Sequence, residues 1–482
     1  MSWDVAIIGA GVVGAAIARE LAGYQLRCVL IEAADDVGTG TSKANTAILH
    51  TGFDATPGTL ESRLVARGSA LLREHAERTG IAVERTGALL VAWTPEQADG
   101  LAAIAEKSRA NGYTRIRSES KAEVYQREPN LGPGALGGLW IPDEWVIDPW
   151  SVPLAFAIEA VRAGVDLRLG TRVTGVSELD GGDGFELAVA PGAEPVRCRF
   201  AVNAAGLASD DVDRMFGGGG FTIRPRKGEL IVFDKLARPL LTSIILPVPT
   251  ARTKGVLVAP TVFGNVLLGP TAEDVGDRAD TSTSASGLSA LLAAGHRILP
   301  GLEQEEVTAT YAGLRAATEH SDYQVAAHGR YVRVAGIRST GLTASLGIAE
   351  HVAGLLDEAG LALKPRPAGD RELPRMPYLG ERGRRPYQDA ERIGADPAYG
   401  AIACHCERVT RGEIRDALAG EIPPAEVDGL RRRTRAMNGR CQAFYCGAAV
   451  SALFEQAPSR QPGTRQGGPG LAGGATGARD GD

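Results

Sequence analysis

The stretch DVAIIGAGVVGAAIARELAG, residues 4–23, decides how the rest of this chain is read. An apolar run leads into a glycine-rich turn, and a helical pattern follows. RCVLIE (27–32) then makes a second apolar run, closed by Glu32. Gly9, Gly11 and Gly14 hold the G-x-G-x-x-G spacing of a dinucleotide-binding βαβ unit. Gly9 permits the tight turn, Gly11 lets backbone approach a pyrophosphate, and Gly14 lets the helix pack on the strand. The pyrophosphate would sit at the helix N-terminus, where free N–H groups and the dipole favour an anion. Glu32 can accept a hydrogen bond from a ribose 2′-hydroxyl, and its charge disfavours a 2′-phosphate. This unit alone fits FAD and NAD equally.

The next segment, GTGTSKANTAILHTGFDATPGT (38–59), is small, polar and glycine-rich. An ordinary NAD domain continues here with helix and strand. A long irregular loop in a compact domain is usually functional. Ser42 and Asn45 offer groups for phosphate or ribityl oxygens, and His50 is a candidate acid–base residue.

The chain has 482 residues, a formal charge of −6 and 44 % hydrophobic residues. That suits two or three domains. No apolar run reaches the length of a membrane span. The start enters a strand with no basic n-region, so no secretory signal and a cytoplasmic location are expected. The mild acidity gives no reason to expect nucleic acid. TLESRLVARGSALLREHAERTG (59–80) has the leucine spacing of an amphipathic helix. Beyond it, strand-rich pieces alternate with βα pieces. Two domains are therefore expected to share the chain several times over. Residues 1–90, 147–222 and 318–361 are assigned to an FAD-binding domain, and 91–146 and 223–317 to a substrate domain. The stretch 362–398 is rich in Pro and Arg and reads as a linker or wrapping segment. Residues 399–455 form a third unit, and 456–482 are Gly/Pro-rich and expected to be disordered.

Cysteine usage marks that third unit. Cys28 and Cys198 lie in strand-like pieces and read as buried small hydrophobes. Cys404, Cys406, Cys441 and Cys446 then cluster as C-x-C and C-x4-C around a helical spacer. In a reducing compartment such a cluster points to metal. Four thiolates can hold a [2Fe–2S] cluster or zinc. C-x-C favours iron–sulfur, since structural zinc prefers C-x2-C. The arginines at 431–433 read mostly as a solvated helix face.

Taken in order, the motifs resemble the FAD-dependent superfamily named for D-amino acid oxidase. They are AIIGAGVVGAAIARELA with Glu32, GTSKANTAILHTGF, VNAAG (202–206), YAGLR (311–315) and GIRSTGLTASLGIAEHV (336–352). Within it the chain is most similar to flavin-linked glycerol-3-phosphate dehydrogenases with a C-terminal iron–sulfur domain. RTRAMNGRCQAFYC (433–446) resembles the second half of the bacterioferritin-associated-ferredoxin [2Fe–2S] domain. The resemblance implies an α/β fold: a Rossmann-like FAD domain of glutathione-reductase type interleaved with an antiparallel-sheet substrate domain, plus a small helical [2Fe–2S] domain. It implies FAD held by Gly9, Gly11, Gly14 and Glu32, with Ser42 and Asn45 along the pyrophosphate and ribityl chain. Val173, Ala205 and Gly206 fall at the adenosine end, and Gly341, Leu342 and Thr343 at the flavin ring. His50 and Arg315 face the substrate, Arg315 as a bidentate anion clamp. Arg226, Lys227, Arg252 and Lys254 are candidates for holding a phosphate.

The implied activity is oxidation of a small anionic hydroxy compound, glycerol 3-phosphate first. L-2-hydroxyglutarate, another 2-hydroxy acid or a glycine- or proline-like amino acid is the alternative. Electrons would leave through the cluster to a quinone-linked or protein acceptor, with partner subunits as the route to the inner face of a membrane. A non-enzymatic electron-carrier partner protein is the rival from another class.

Overall fold

The structure, a computed structural model, describes residues 2–192, 194–249, 255–367 and 372–456. Arg252, Lys254 and the glycine-rich tail from 457 onward lie outside the described residues.

The first strand, Ser2–Ile8, is the middle of a mixed eight-stranded sheet. It pairs in parallel with Cys28–Ile31 on one side and Val196–Asn203 on the other. Asp166–Arg168 and Tyr331–Ala335 extend the parallel set outward. Arg172–Glu178, Phe185–Ala190 and Gln324–His328 complete the sheet as antiparallel strands. The parallel strands are apolar on both faces because helices cover them. Val12–Leu21 packs between Ser151–Arg162 and Gly341–Glu358, and Leu60–Thr79 packs on the latter. Small residues set that last contact. A Cβ on Gly68 would lie 2.3 Å from the Thr343 carbonyl oxygen, and one on Gly347 2.6 Å from that of Leu64.

A second sheet has nine strands and takes in most of the segments expected to form the substrate domain. Its long pair, Arg224–Phe233 and Val307–Ala317, is antiparallel, as are most of its neighbours. Ile244–Pro247 instead runs parallel to Ala88–Ala92. So the sheet expected to be antiparallel is mixed. The two strands are far apart in sequence, and a parallel pair needs only a long crossover between its members. Ala88–Ala92 also straddles the domain border expected at 90.

The last unit is a short hairpin, Ile402–Cys404 with Val409–Thr410, and three helices, Arg411–Leu418, Val427–Thr434 and Gly447–Glu455. Val409, Ile414, Leu430 and Val450 pack with Cys404 and Cys446 as its core. The preceding segment ties the units together. Lys364 O accepts from Gln25 N, Met376 N donates to Thr79 O, and Glu381 N donates to Val262 O. The buried Arg385 pairs with Glu413 at 3.1 Å. Among the described residues no helix is long and apolar enough to cross a membrane.

Of the arginines at 431–433, expected mostly as a solvated face, two turn inward and only Arg431, its side chain 40 % exposed, stays at the surface. The side chains of Arg432 and Arg433 are 11 % and 7 % exposed, and both pair with Asp36 of the first domain. Helical spacing cannot reveal a partner that far away in the chain.

Candidate active site

A cavity of about 770 Å³ opens where the two large sheets meet. It collects residues from 8–50, 171–215, 228–270 and 313–342, which lie on both sheets. Gly9, Gly11 and Glu32 line it, with Ser42, Asn45 and His50 from the loop beyond. Val173, Ala205 and Gly206 line it, as do Arg315, Gly341 and Leu342. Gly14 and Thr343 sit behind the wall.

The glycine-rich turn is as tight as its spacing implies. Gly9 has φ +102°, and a Cβ there would lie 2.5 Å from Ala204 O. A Cβ on Gly14 would lie 1.8 Å from Gly9 O, so only glycine lets the helix start this close. Glu32 staples the turn: its carboxylate accepts from Ala10 N at 2.6 Å and from Ala34 N at 2.9 Å. Burial pushes this carboxyl above its ordinary value, against those backbone bonds. Ser42 Oγ accepts from Val12 N at 2.9 Å, taking one free N–H of the first helix. Asn45 holds its own loop, donating to Ser42 O at 2.8 Å and accepting from Ala47 N at 2.7 Å. Together these leave a backbone-walled cradle at a helix N-terminus, which fits the pyrophosphate of FAD.

The strand Val307–Ala317 is stitched to this loop. Thr41 Oγ1 donates to Leu314 O at 2.9 Å, and Tyr311 donates to Asn45 O at 2.8 Å. A Cβ on Gly313 would lie 2.3 Å from Ala44 O. Arg315, two residues on and on the same face of the strand, is thereby held at the cavity. Among the described residues no carboxylate pairs with it. Burial, and then the charge of Arg226, lower its pKa. A half-buried cation facing a cavity without a counter-ion is costly unless a ligand supplies the anion.

His50 faces the same cavity. Its Nδ1 lies 2.9 Å from Glu144 Oε2, and Glu144 is fully buried. The other carboxylate oxygen accepts from Thr51 N at 2.6 Å and Thr51 Oγ1 at 2.9 Å. The His50 backbone N–H donates to Thr343 Oγ1 at 3.0 Å, so Thr343 anchors His50 from behind. Glu144 was missed in the sequence. Its only signal is an acid inside the apolar run GLWIPDEWVIDPW. Arg338 and Ser339 also line the cavity unforeseen.

The candidate phosphate holders Arg226 and Lys227 do not line it. Arg226 pairs bidentately with Asp274 at 2.6 and 3.0 Å, and Lys227 pairs with Asp280 at 2.8 Å. A cross-strand carboxylate satisfies Arg226, and one from the following loop satisfies Lys227.

The four late cysteines converge two and two, Cys406 beside Cys441 and Cys404 beside Cys446. The Tyr445, Ala443 and Phe444 N–H groups face the Cys441 sulfur and lower its pKa, Tyr445 most. The Cys441 N–H faces the Cys406 sulfur, and burial pushes Cys446 up to about 12. Backbone N–H groups aimed at clustered sulfurs fit thiolates that hold an iron–sulfur cluster. Gln442 and Ala443 adopt φ +49° and +66° to make this turn. Burial also pushes Cys28 and Cys198 up to about 12, as inert core thiols.

Comparison with known proteins agrees with this geometry. Residues 4–355 match the family described as FAD dependent oxidoreductase (DAO), and 402–456 match the BFD-like [2Fe-2S] binding domain. The chain is 34 % identical over 455 residues to glycerol 3-phosphate dehydrogenase of Caloramator mitchellensis, covering 93 % of each chain. It is 30 % identical to glycerol 3-phosphate oxidase of Mycoplasma pneumoniae, over 77 % of this chain and 98 % of that one. The solved L-alpha-glycerophosphate oxidase of Mycoplasma pneumoniae with FAD bound superimposes with a TM-score of 0.72 at 27 % identity, covering 77 % of this chain and 98 % of that one. With its glycine-walled cradle, its cavity and its cysteine cluster, the chain belongs to the DAO family of FAD-dependent oxidoreductases and carries a BFD-like [2Fe–2S]-binding domain over residues 402–456.

Proposed function

We propose that this chain oxidises glycerol 3-phosphate and passes the electrons on through its [2Fe–2S] cluster. The observation that carries the reading is the pairing, on one cavity, of an unneutralised Arg315 with a His50 fixed by a buried glutamate. Arg315 holds the phosphate through its planar fork. His50 donates its Nδ1 proton to Glu144, which leaves Nε2 as the base for the substrate hydroxyl. The first-turn N–H groups of Gly341 and Leu342 stabilise negative charge at the cavity wall. FAD, when bound, supplies the hydride acceptor. The names of the relatives, a glycerol 3-phosphate dehydrogenase and two oxidases, support this substrate over an amino acid.

Residues 1–90, 147–222 and 318–361 serve to hold FAD, and 91–146 and 223–317 to bind substrate. The cluster unit, 399–455, delivers single electrons to a quinone-linked or protein acceptor. Anaerobic bleaching of the flavin tests the reading. Glycerol 3-phosphate should bleach it fully, and 2-hydroxy acids and amino acids should not. Bleaching by a 2-hydroxy acid alone would move the assignment to that class.

A further inference from the structure

Asp36 lies in the turn that follows Glu32 and is 5 % exposed. Arg433, in the helix Val427–Thr434 of the cluster domain, is 7 % exposed. Its guanidinium spans the carboxylate: Nη1 donates to Oδ2 at 2.7 Å and Nη2 to Oδ1 at 2.6 Å. Arg432 Nη2 adds a bond to Oδ2 at 3.1 Å. Gly429 allows the approach, since a Cβ there would lie 2.6 Å from Asp36 Oδ2. The same turn belongs to the dinucleotide loop, where Gly38 N donates to Ala10 O at 2.9 Å.

Two further contacts seat the cysteine loops on the other domains. Arg440, beside Cys441, donates to Asp234 at 3.1 Å, and Glu407, beside Cys406, pairs with Lys235 at 3.1 Å. Asp234 and Lys235 follow the strand Arg224–Phe233, whose Gly228 and Leu230 line the cavity. The strand from Leu230 to Asp234 spans only about 13 Å. On the other flank Arg435 lies 4.2 Å over the Phe263 ring. Phe263 stacks on Trp150 at 5.2 Å, and the Trp150 indole donates to Lys43 O in the flavin loop at 3.0 Å.

We propose that Asp36 and Arg433 form a docking clamp that fixes the [2Fe–2S] domain beside the flavin cavity, so that electrons pass from flavin to cluster within one chain. Both are positioning residues, and the proposal rests on the electron outlet proposed above. One electron leaves the two-electron-reduced flavin and reduces the oxidised cluster by one. An external one-electron acceptor takes it from the cluster, the second electron follows the same way, and the protons go to solvent. Transfer falls steeply with distance, so an undocked cluster is a poor acceptor. Removing one partner of a buried ion pair leaves the other uncompensated, which should shift docking by about a hundredfold.

The test uses the holoenzyme and two variants. Asp36→Ala removes the charge, and Gly429→Ala wedges the contact while keeping both charges. Without substrate, the flavin is photoreduced anaerobically by a light flash with EDTA as the electron donor, and cluster reduction is followed optically and by its EPR signal. In the wild type this second phase should not depend on protein concentration. In both variants it should slow by about tenfold or more, with FAD and iron content unchanged. Hydrogen exchange in Val427–Thr434 should rise in parallel. If one variant fails to fold, the other decides. Wild-type transfer rates in a folded variant overturn the clamp, even if exchange rises. A wild-type cluster that takes no electron at all sinks the outlet itself, and the clamp with it.

Discussion

Arg315 carries its charge into a cavity wall where no described carboxylate meets it. Arg315→Ala should therefore raise KM for the anionic substrate, with a loss of about 2–5 kcal/mol, as for a desolvated charge pair that loses one partner. FAD content should stay unchanged, and steady-state kinetics with a flavin absorbance ratio check both halves. Unaltered KM would remove Arg315 from the site. His50 is a residue of a different kind, because its usefulness depends on Glu144. His50→Ala should slow flavin reduction by about 10²–10⁴-fold, the range of a lost general base. Glu144→Gln can present its amide N–H₂ to Nδ1 and so favour the wrong tautomer. It should lower the reduction rate with little change in KM, as read in anaerobic stopped flow. Equal rates in wild type and Glu144→Gln would reduce Glu144 to a scaffold for Thr51. At this scale the sequence shows which residue types could act. Residue type alone does not separate Arg226 from Arg315 as an anion holder, yet one pairs with Asp274 and the other faces the cavity.

The first turn and helix show how little freedom an element has once the spacing is set. Gly14→Ala would drive a methyl to 1.8 Å from Gly9 O, backbone against backbone. The helix must then shift, at a cost of about 1–3 kcal/mol or more. The expected product is a protein purified without flavin, with a lower Tm that added FAD does not restore. Gly14→Ala protein with normal flavin content would show that the turn has slack. This element was legible because its geometry is local: the turn, helix start and second strand lie within one short stretch. The parallel pairing of Ile244–Pro247 with Ala88–Ala92 was not legible, since no spacing rule links segments so far apart.

At the scale of the molecule, the proposed wiring puts two redox centres in sequence. Cys441→Ser removes one cluster thiolate and disturbs the turn whose N–H groups face that sulfur. Reduction of flavin by substrate should remain within about twofold of wild type, because that chemistry ends at the cavity. Reoxidation by a one-electron acceptor should fall by about tenfold or more. Stopped-flow traces of both half-reactions decide it. Loss of the reductive half with a normal oxidative half would reverse the wiring proposed here.

The sequence by itself determined the dinucleotide fingerprint, the interleaved order of βα and strand-rich pieces, and the cysteine cluster. Each rests on residues close together in the chain, where spacing fixes geometry: glycines in one turn, apolar residues at strand or helix period, thiols two and five apart. Its resemblance to a known family then marked His50 and Arg315. Only the tertiary structure decided what surrounds them. It put Glu144 behind His50, took Arg226 and Lys227 away from the cavity, and turned an arginine-rich helix face inward onto Asp36. Those outcomes depend on which charges meet across hundreds of residues. A buried charge is tolerated only where its partner arrives, and arrival is a property of the folded chain.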